Sequence, residues 1–507
     1  MSEKIKNLIL KNKALICLFL IYAISTIFFA SHYLANWDAG QFALGTQNFN
    51  LENHQPHPPG YFLFIFCAKG LNYFISNINA CFLVINFLAG FFALIFLHKL
   101  TLEISKNEKT SFIIALLFIF NPVFWYYRDI ANTYVFESLA ILSTAFFAYE
   151  SIVGEKNRFA LSVGIIAILM GFRPSIILAA APILFIHWIF SKDKIKNIFL
   201  GAAAFLIIFS AWFIPFAKTV GWHNLSALIK GQLTSAHESF SQKSQLMFLI
   251  KSLIFSVSAS LLVAFFFIKK NLNFLKEKKL FYFLISPAFL IFFYALVHFG
   301  EVGYLLGIIS LFSLLIIYPV SKLLNKSWGL ILLIAVLIGQ ICCFIYPQKY
   351  FQNEKIEKIN YVSIRARDTL LNNYISFIKT LDPKESLILI LRGQYFNAEN
   401  KVDKYENEDI RALGYYLPEY KLYDFSGVTS EYSILENFDT AKYFSNDIEI
   451  NSGIKNFYVL ANYVNPIDYT DEFTLSEQNM PDSALNYYLG NIENIDEFEF
   501  KGFFFTK

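Results

Sequence analysis

Apolar runs long enough to cross a hydrocarbon layer recur from residue 14 to residue 346, and few folds tolerate that. A layer about 30 Å thick admits only backbone that satisfies its own hydrogen bonds, which for runs of this length means helices. Of the 507 residues, 56% are hydrophobic and 58 are Phe, more than a water-soluble core needs. The expected fold class is therefore a multi-span α-helical membrane protein. The first run, Ala14 to Ala30, has no small-residue cleavage site and is followed by further runs, so it reads as a retained span and not a removed signal.

Charge divides the chain. Residues 1–346 hold 26 Lys and Arg against 13 Asp and Glu, whereas residues 347–507 hold 16 against 26. Basic loops suit the cytoplasmic leaflet, and an acidic, Tyr- and Asn-rich tail suits a soluble domain away from it. The expected domains are a transmembrane part, 1–346, and a soluble extracytoplasmic α/β part, 347–507. In the tail, Tyr361 to Leu381 and 408–417 have helical periodicity, while Ser386 to Leu391, Lys421 to Phe425 and Phe457 to Asn462 read as strands. The tail's net negative charge argues against nucleic acid as a partner.

Lys4, Lys6, Lys11 and Lys13 put the amino end in the cytoplasm, so Asp38 emerges on the far side. Residues 58–76 decide the rest. If they cross, the later basic loops fall outside; if they lie along the outer surface, 19 basic residues fall inside and six outside before the tail. A charge such as Lys69 at mid-span costs about 2.5 to 3.5 kcal/mol, which favours the interfacial reading. Eleven spans follow, near 14–30, 80–98, 110–126, 132–150, 159–171, 175–190, 197–216, 245–268, 281–297, 304–319 and 328–346, with a tight turn at Arg173-Pro174. This predicts a bacterial inner-membrane protein with a cytoplasmic N-terminus and an extracytoplasmic C-terminal domain.

The polar exceptions then share the outer face: Asp38, His57, Arg128, Asp129, Arg173, His237, Glu238, His298 and Glu301. Such a face joins something lipid-borne to something outside. Each has a plainer reading. Asp38 suits the first turn of a helix over 39–49, and His57-Pro58-Pro59 suits a helix start with Pro58 at its first position. Arg128 and Asp129 suit a surface ion pair, Arg173 suits snorkelling to headgroups, and the loop residues suit solvation. No phosphate loop or zinc-spaced Cys/His set is present, and the five cysteines all precede the tail.

An outer loop bearing an acid, followed about twenty residues on by HPPGY, resembles the GT-C glycosyltransferases. The likeness is greatest to bacterial relatives of the protein O-mannosyltransferase and aminoarabinose transferase group, of the family 39 type. NPVFWYYRDIANTYVFE, GFRPS, HFGEVGYLL and YYLPEYKLY also resemble stretches of that group. The resemblance implies a hexosyl- or pentosyltransferase. Its donor is a polyprenyl-phosphate sugar, and its acceptor is a glycan, lipid or protein on the outer face.

By the resemblance Asp38 is the catalytic base. Arg128 and Arg173 are then candidates for the departing phosphate, with His57 on a phosphate oxygen or sugar hydroxyl. Asp129 or Glu137 is a possible second acid, and Glu301 and Tyr304 are acceptor or loop contacts. The sequence departs from several relatives by carrying Ala39 and Gln41 where a second acid follows the first, so metal-independent catalysis without a cofactor is expected. The competing readings are a transporter or flippase for a lipid-linked or anionic solute, and a non-catalytic assembly protein. The missing internal repeat weighs against the transporter, whose mid-depth charge would rest on Lys251 alone.

Overall fold

A computed structural model describes residues 13–154, 156–222, 224, 242–265, 267–391, 394–396, 402–405, 410–427, 432–436, 447–461, 472–481, 486–500 and 503–507. His237 and Glu238 lie outside them. Packing divides the chain into two units, one of Met1–Ser31 with Tyr61–Arg365 and one of His32–Gly60 with Ala366–Lys507. The first polar loop, His32–Gly60, therefore groups with Ala366–Lys507. The cause is a set of hydrogen bonds between the loop backbone and side chains more than 300 residues away, described below.

In the first unit, Ile78–Ser105, Val135–Ile152, Lys194–Val220 and Ser327–Ile345 are long and apolar enough to cross a membrane singly. Three bent pairs qualify together: Glu108–Ile119 with Pro122–Arg128 at 63°, Lys269–Glu277 with Leu280–Leu296 at 104°, and Val302–Leu315 with Ile317–Leu323 at 46°. Length and composition thus give up to seven crossings among the described residues, against the eleven expected. Lys13–Phe29, Phe159–Phe172 and Ile176–Phe190 are apolar but shorter. Phe62–Asn72, with Lys69 exposed, extends about 17 Å at 1.5 Å per residue, too little to cross alone.

Val135–Ile152 lies at the centre, packed against Ile78–Ser105, Ile176–Phe190 and Leu306–Leu315. Lys194–Val220 and Ser327–Ile345 instead leave their apolar faces open, with Ile207 72% and Ile331 70% exposed. In water such faces would drive association, whereas a bilayer solvates them.

Two prolines position the polar ends. The break before Pro122 follows from its missing N–H and from the Asn121 cap, whose Oδ1 accepts from the Val123 and Phe124 amides at 3.1 and 3.3 Å. Pro174 pushes the residue before it out of the helical region, so Arg173 ends Phe159–Phe172 in an extended conformation (φ −153°, ψ 101°).

In the second unit six strands lie side by side in the order Tyr432–Glu436, Lys421–Gly427, Ser386–Leu391, Asn456–Ala461, Asn486–Asn491 and Ser476–Asn479. Ser386–Leu391 runs parallel to both neighbours, and the remaining pairs are antiparallel. Leu387, Leu389, Phe457, Val459, Phe498 and Phe505 fill one core. Helix Ile410–Tyr416 packs on helix Trp37–Gln47, closest at Gly40, where a Cβ would lie 2.8 Å from the Ala412 nitrogen.

His57-Pro58-Pro59 does not start a helix. The helix begins at Phe62, because Gly60 (φ 105°) and Tyr61 (φ 44°) take left-handed conformations that end the turn first. The Gln55-Pro56 and Pro58-Pro59 bonds are cis.

Candidate active site

The residues picked from the sequence fall into two groups, one in each unit. In the second unit Asn36 caps Trp37–Gln47, its side chain accepting from Ala39 N at 2.8 Å, and this sets Asp38 in the first turn. A carboxylate is favoured there by the helix dipole. The Asp38 side chain is 33% exposed, and its Oδ1 lies 3.8 Å from His57 Nδ1.

One turn further on, Gln41 is buried, and its Oε1 accepts from the His57 backbone N–H at 3.2 Å and meets His57 Nδ1 at 2.5 Å. A backbone N–H only donates, so that amide atom is the oxygen and Nδ1 must carry a proton toward it. Neutral His57 therefore presents Nε2 as an acceptor. Phe42 stacks on the imidazole at 5.9 Å between centroids. Nearby, burial pushes the His54 imidazole down to about 4, and the charges of Arg411 and His57 push it the same way. Gln41 entered the sequence reading only as a missing acid, and its bond to His57 had no signal in the spacing.

In the first unit the expected cations and second acids pair with each other. Arg173 Nε donates to Glu137 Oε1 at 2.8 Å and its Nη1 to Thr133 Oγ1 at 3.0 Å. Its guanidinium lies 4.0 Å from the Tyr134 ring centroid and 5.2 Å from that of Tyr304. Gly303 permits this stack, since a Cβ there would come within 2.5 Å of Tyr134 Cγ. The snorkelling reading of Arg173 is thereby overturned: the side chain is buried against an acid and two rings.

Arg128 and Asp129 are fully buried, with Nε 3.3 Å from Oδ1, so they are not a surface pair. Arg128 also donates to Ser25 Oγ at 2.6 Å and lies over Tyr22 at 4.5 Å. Asn86 holds the loop between the two arginines by donating to the carbonyls of Ile130 and Asn132 at 2.9 and 2.7 Å.

Glu301 is not simply solvated. It accepts from Tyr127 OH at 3.1 Å and stands 3.6 Å from Lys358 and 4.0 Å from Lys355. His298 packs against Tyr304 at 6.1 Å. Lys251, the charge read at mid-depth, donates to the Phe351 carbonyl at 2.8 Å. Among the described residues no three His, Cys, Asp or Glu side chains gather as a metal set.

Comparison with solved structures gives a likeness of fold over nearly the whole chain. Among the matches are two crystal structures of ArnT from Cupriavidus metallidurans, one bound to undecaprenyl phosphate and one in the apo state. The first aligns over 95% of this chain and 98% of its own at 8% identity, TM-score 0.56. The second aligns over 94% and 97% at 9% identity, TM-score 0.54. No protein-family model and no curated protein matches the chain. At this identity the likeness is one of fold alone.

Proposed function

We propose that the chain transfers a sugar from a polyprenyl-phosphate donor to an acceptor hydroxyl at the extracytoplasmic face, with Asp38 as the base. The observation that carries this reading is the partly exposed Asp38 carboxylate beside His57, in a fold shared with a protein whose crystal structure holds undecaprenyl phosphate. The acceptor oxygen attacks the anomeric carbon, Asp38 takes its proton, and the bond to phosphate breaks with its electron pair leaving on the lipid phosphate.

His57 Nε2, kept as an acceptor by Gln41, suits a sugar hydroxyl better than a phosphate oxygen. For the leaving phosphate Arg173 is the better candidate. Both arginines are buried and paired with an acid; Arg173 is preferred for its place beside Tyr304, a residue read as a site contact, with Tyr134 on its other side. Glu137 then serves as its counter-ion and not as a second acid. Metal-independent catalysis accords with Gln41, a neutral amide committed to His57, in the place of a second carboxylate.

Lys251 gives the transporter reading no mid-depth counter-charge, since it ends on a backbone carbonyl. The test is to compare lipid and glycan profiles of cells with and without the gene by mass spectrometry. Transfer predicts one sugar modification lost and the polyprenyl-phosphate sugar accumulated; unchanged profiles would contradict it.

A further inference from the structure

The loop that carries Asp38 and His57 is tied at several points to side chains from the far end of the chain. Asp368 Oδ1 accepts from the His32 and Tyr33 amides at 3.0 Å, and Tyr416 OH accepts from the Leu34 amide at 3.3 Å. Those bonds hold the start of the loop. Its return is held by Arg411, whose Nη1 donates to the carbonyls of Asn53 at 3.1 Å and His54 at 3.3 Å while its guanidinium lies 4.8 Å from the centroid of the Trp37 ring.

Arg411 is fully buried. Removing a guanidinium from water costs several kcal/mol, and an apolar side chain of similar volume usually packs as stably, so a buried arginine needs another reason to be kept. The backbone it touches supplies one. His54 has φ 53°, a left-handed conformation uncommon for a residue with a Cβ, and Arg411 holds its carbonyl there.

From that residue the chain reaches His57 in three steps. Gln55 closes a two-way backbone bridge with Asn50 at 2.7 and 2.8 Å, and Pro56 lies against Gly45, where a Cβ would come within 2.9 Å of Pro56 Cδ. Along the other path Arg411 stacks on Trp37, the residue before Asp38. A single side chain thus touches the neighbour of the carboxylate and the turn that delivers the imidazole.

We infer that Arg411 is a positioning residue that sets Asp38 against His57, and that holding this loop in register is a function of the acidic C-terminal unit. The inference deepens the sugar-transfer reading and rests on it for the consequence in activity; the anchoring of the loop stands apart from that reading. Helix Ile410–Tyr416 presents the anchor, and Gly40 lets it approach. An error of about 1 Å in a reacting group costs roughly 10²-fold in rate, so a loop this irregular gains from a fixed external brace.

The test uses the full-length protein in membranes with Arg411→Leu, Arg411→Lys and Tyr416→Phe. Hydrogen exchange of the segment 48–60 is read by mass spectrometry, binding of undecaprenyl phosphate by thermal shift, and product glycan in cells lacking the native gene. Arg411→Leu is expected to speed exchange at 48–60 and lower product roughly 10²-fold with undecaprenyl phosphate affinity unchanged within about twofold. Arg411→Lys, which keeps a cation and a donor, recovers part of both losses. If Arg411→Leu does not fold, Tyr416→Phe gives the same pattern at lower amplitude from the other end of the loop.

Product lost while 48–60 stays as protected as in wild type would overturn the positioning role, as would equal loss of lipid binding. Faster exchange at 48–60 supports the brace even where Asp38→Asn leaves product unchanged, an outcome that counts against the transfer reading alone.

Discussion

Arg173 and Glu137 meet at 2.8 Å inside the helical unit, both side chains less than 5% exposed, although 36 residues separate them. Removing one partner of such a pair strands the other charge, which costs about 3 to 5 kcal/mol. Glu137→Ala is therefore expected to lower the thermal midpoint in detergent markedly, and Glu137→Gln somewhat less because the amide still accepts from Nε. The double variant Glu137→Leu with Arg173→Met should recover much of the stability and none of the activity.

Undecaprenyl phosphate binding separates the two arginines. A hydrogen bond to a charged group contributes about 1.5 to 3 kcal/mol, so Arg173→Ala should weaken binding of that probe about 10- to 100-fold. Both variants strand a buried acid and lower the melting midpoint, so affinity is compared on folded protein, where Arg128→Ala should weaken binding of the probe less than Arg173→Ala. Equal affinity of wild type and a folded Arg173→Ala in a lipid titration would remove Arg173 from the donor site.

Much of the helical unit is legible in the sequence because its determinants are local. Pro122 and Pro174 break helices through their own geometry, and the apolar runs mark the helices on either side. SLILIL is a strand over Ser386–Leu391, with Leu387 to Ile390 buried on both faces between parallel neighbours. Ser476–Asn479, a polar edge strand with no alternation, had no comparable signal. The failures share one cause. The pairing of Arg173 with Glu137, the bond from Gln41 to His57 and the hold of Asp368 and Arg411 on the first loop depend on long-range contacts that residue spacing does not encode. His57-Pro58-Pro59 misled for a related reason: its prolines suit a helix start, but the left-handed Gly60 and Tyr61 intervene.

Gly40 tests the contact between Trp37–Gln47 and Ile410–Tyr416. A Cβ at this position would lie 2.8 Å from a backbone nitrogen and 2.9 Å from Arg411 Cβ, neither of which can swing aside. Gly40→Val should destabilise by about 1 to 3 kcal/mol, typical of overpacking, and loosen 48–60 in hydrogen exchange. Gly70, with nothing near its added Cβ, serves as the control: Gly70→Ala should leave the midpoint close to wild type.

His54 gives the loop a pH dependence of defined sign. Its folded pKa, pushed to about 4 first by burial and then by Arg411 and His57, lies below the unfolded value of about 6.5. The neutral imidazole is favoured by the fold, so stability is full above about pH 6.5 and falls as pH drops toward 4. His54→Gln should flatten that loss in thermal melts taken from pH 7 to 4. A wild-type midpoint that rises over the same interval relative to His54→Gln would contradict the sign.

The role of Asp38 is tested most directly by the product glycan, measured by mass spectrometry in cells whose own gene is replaced by Asp38→Asn. A positioned base contributes roughly 10²- to 10⁴-fold, so product should fall at least 10²-fold while the variant remains in the membrane with its melting midpoint and undecaprenyl phosphate affinity retained. Wild-type product from a correctly inserted Asp38→Asn would show that the carboxylate beside His57 is not the base.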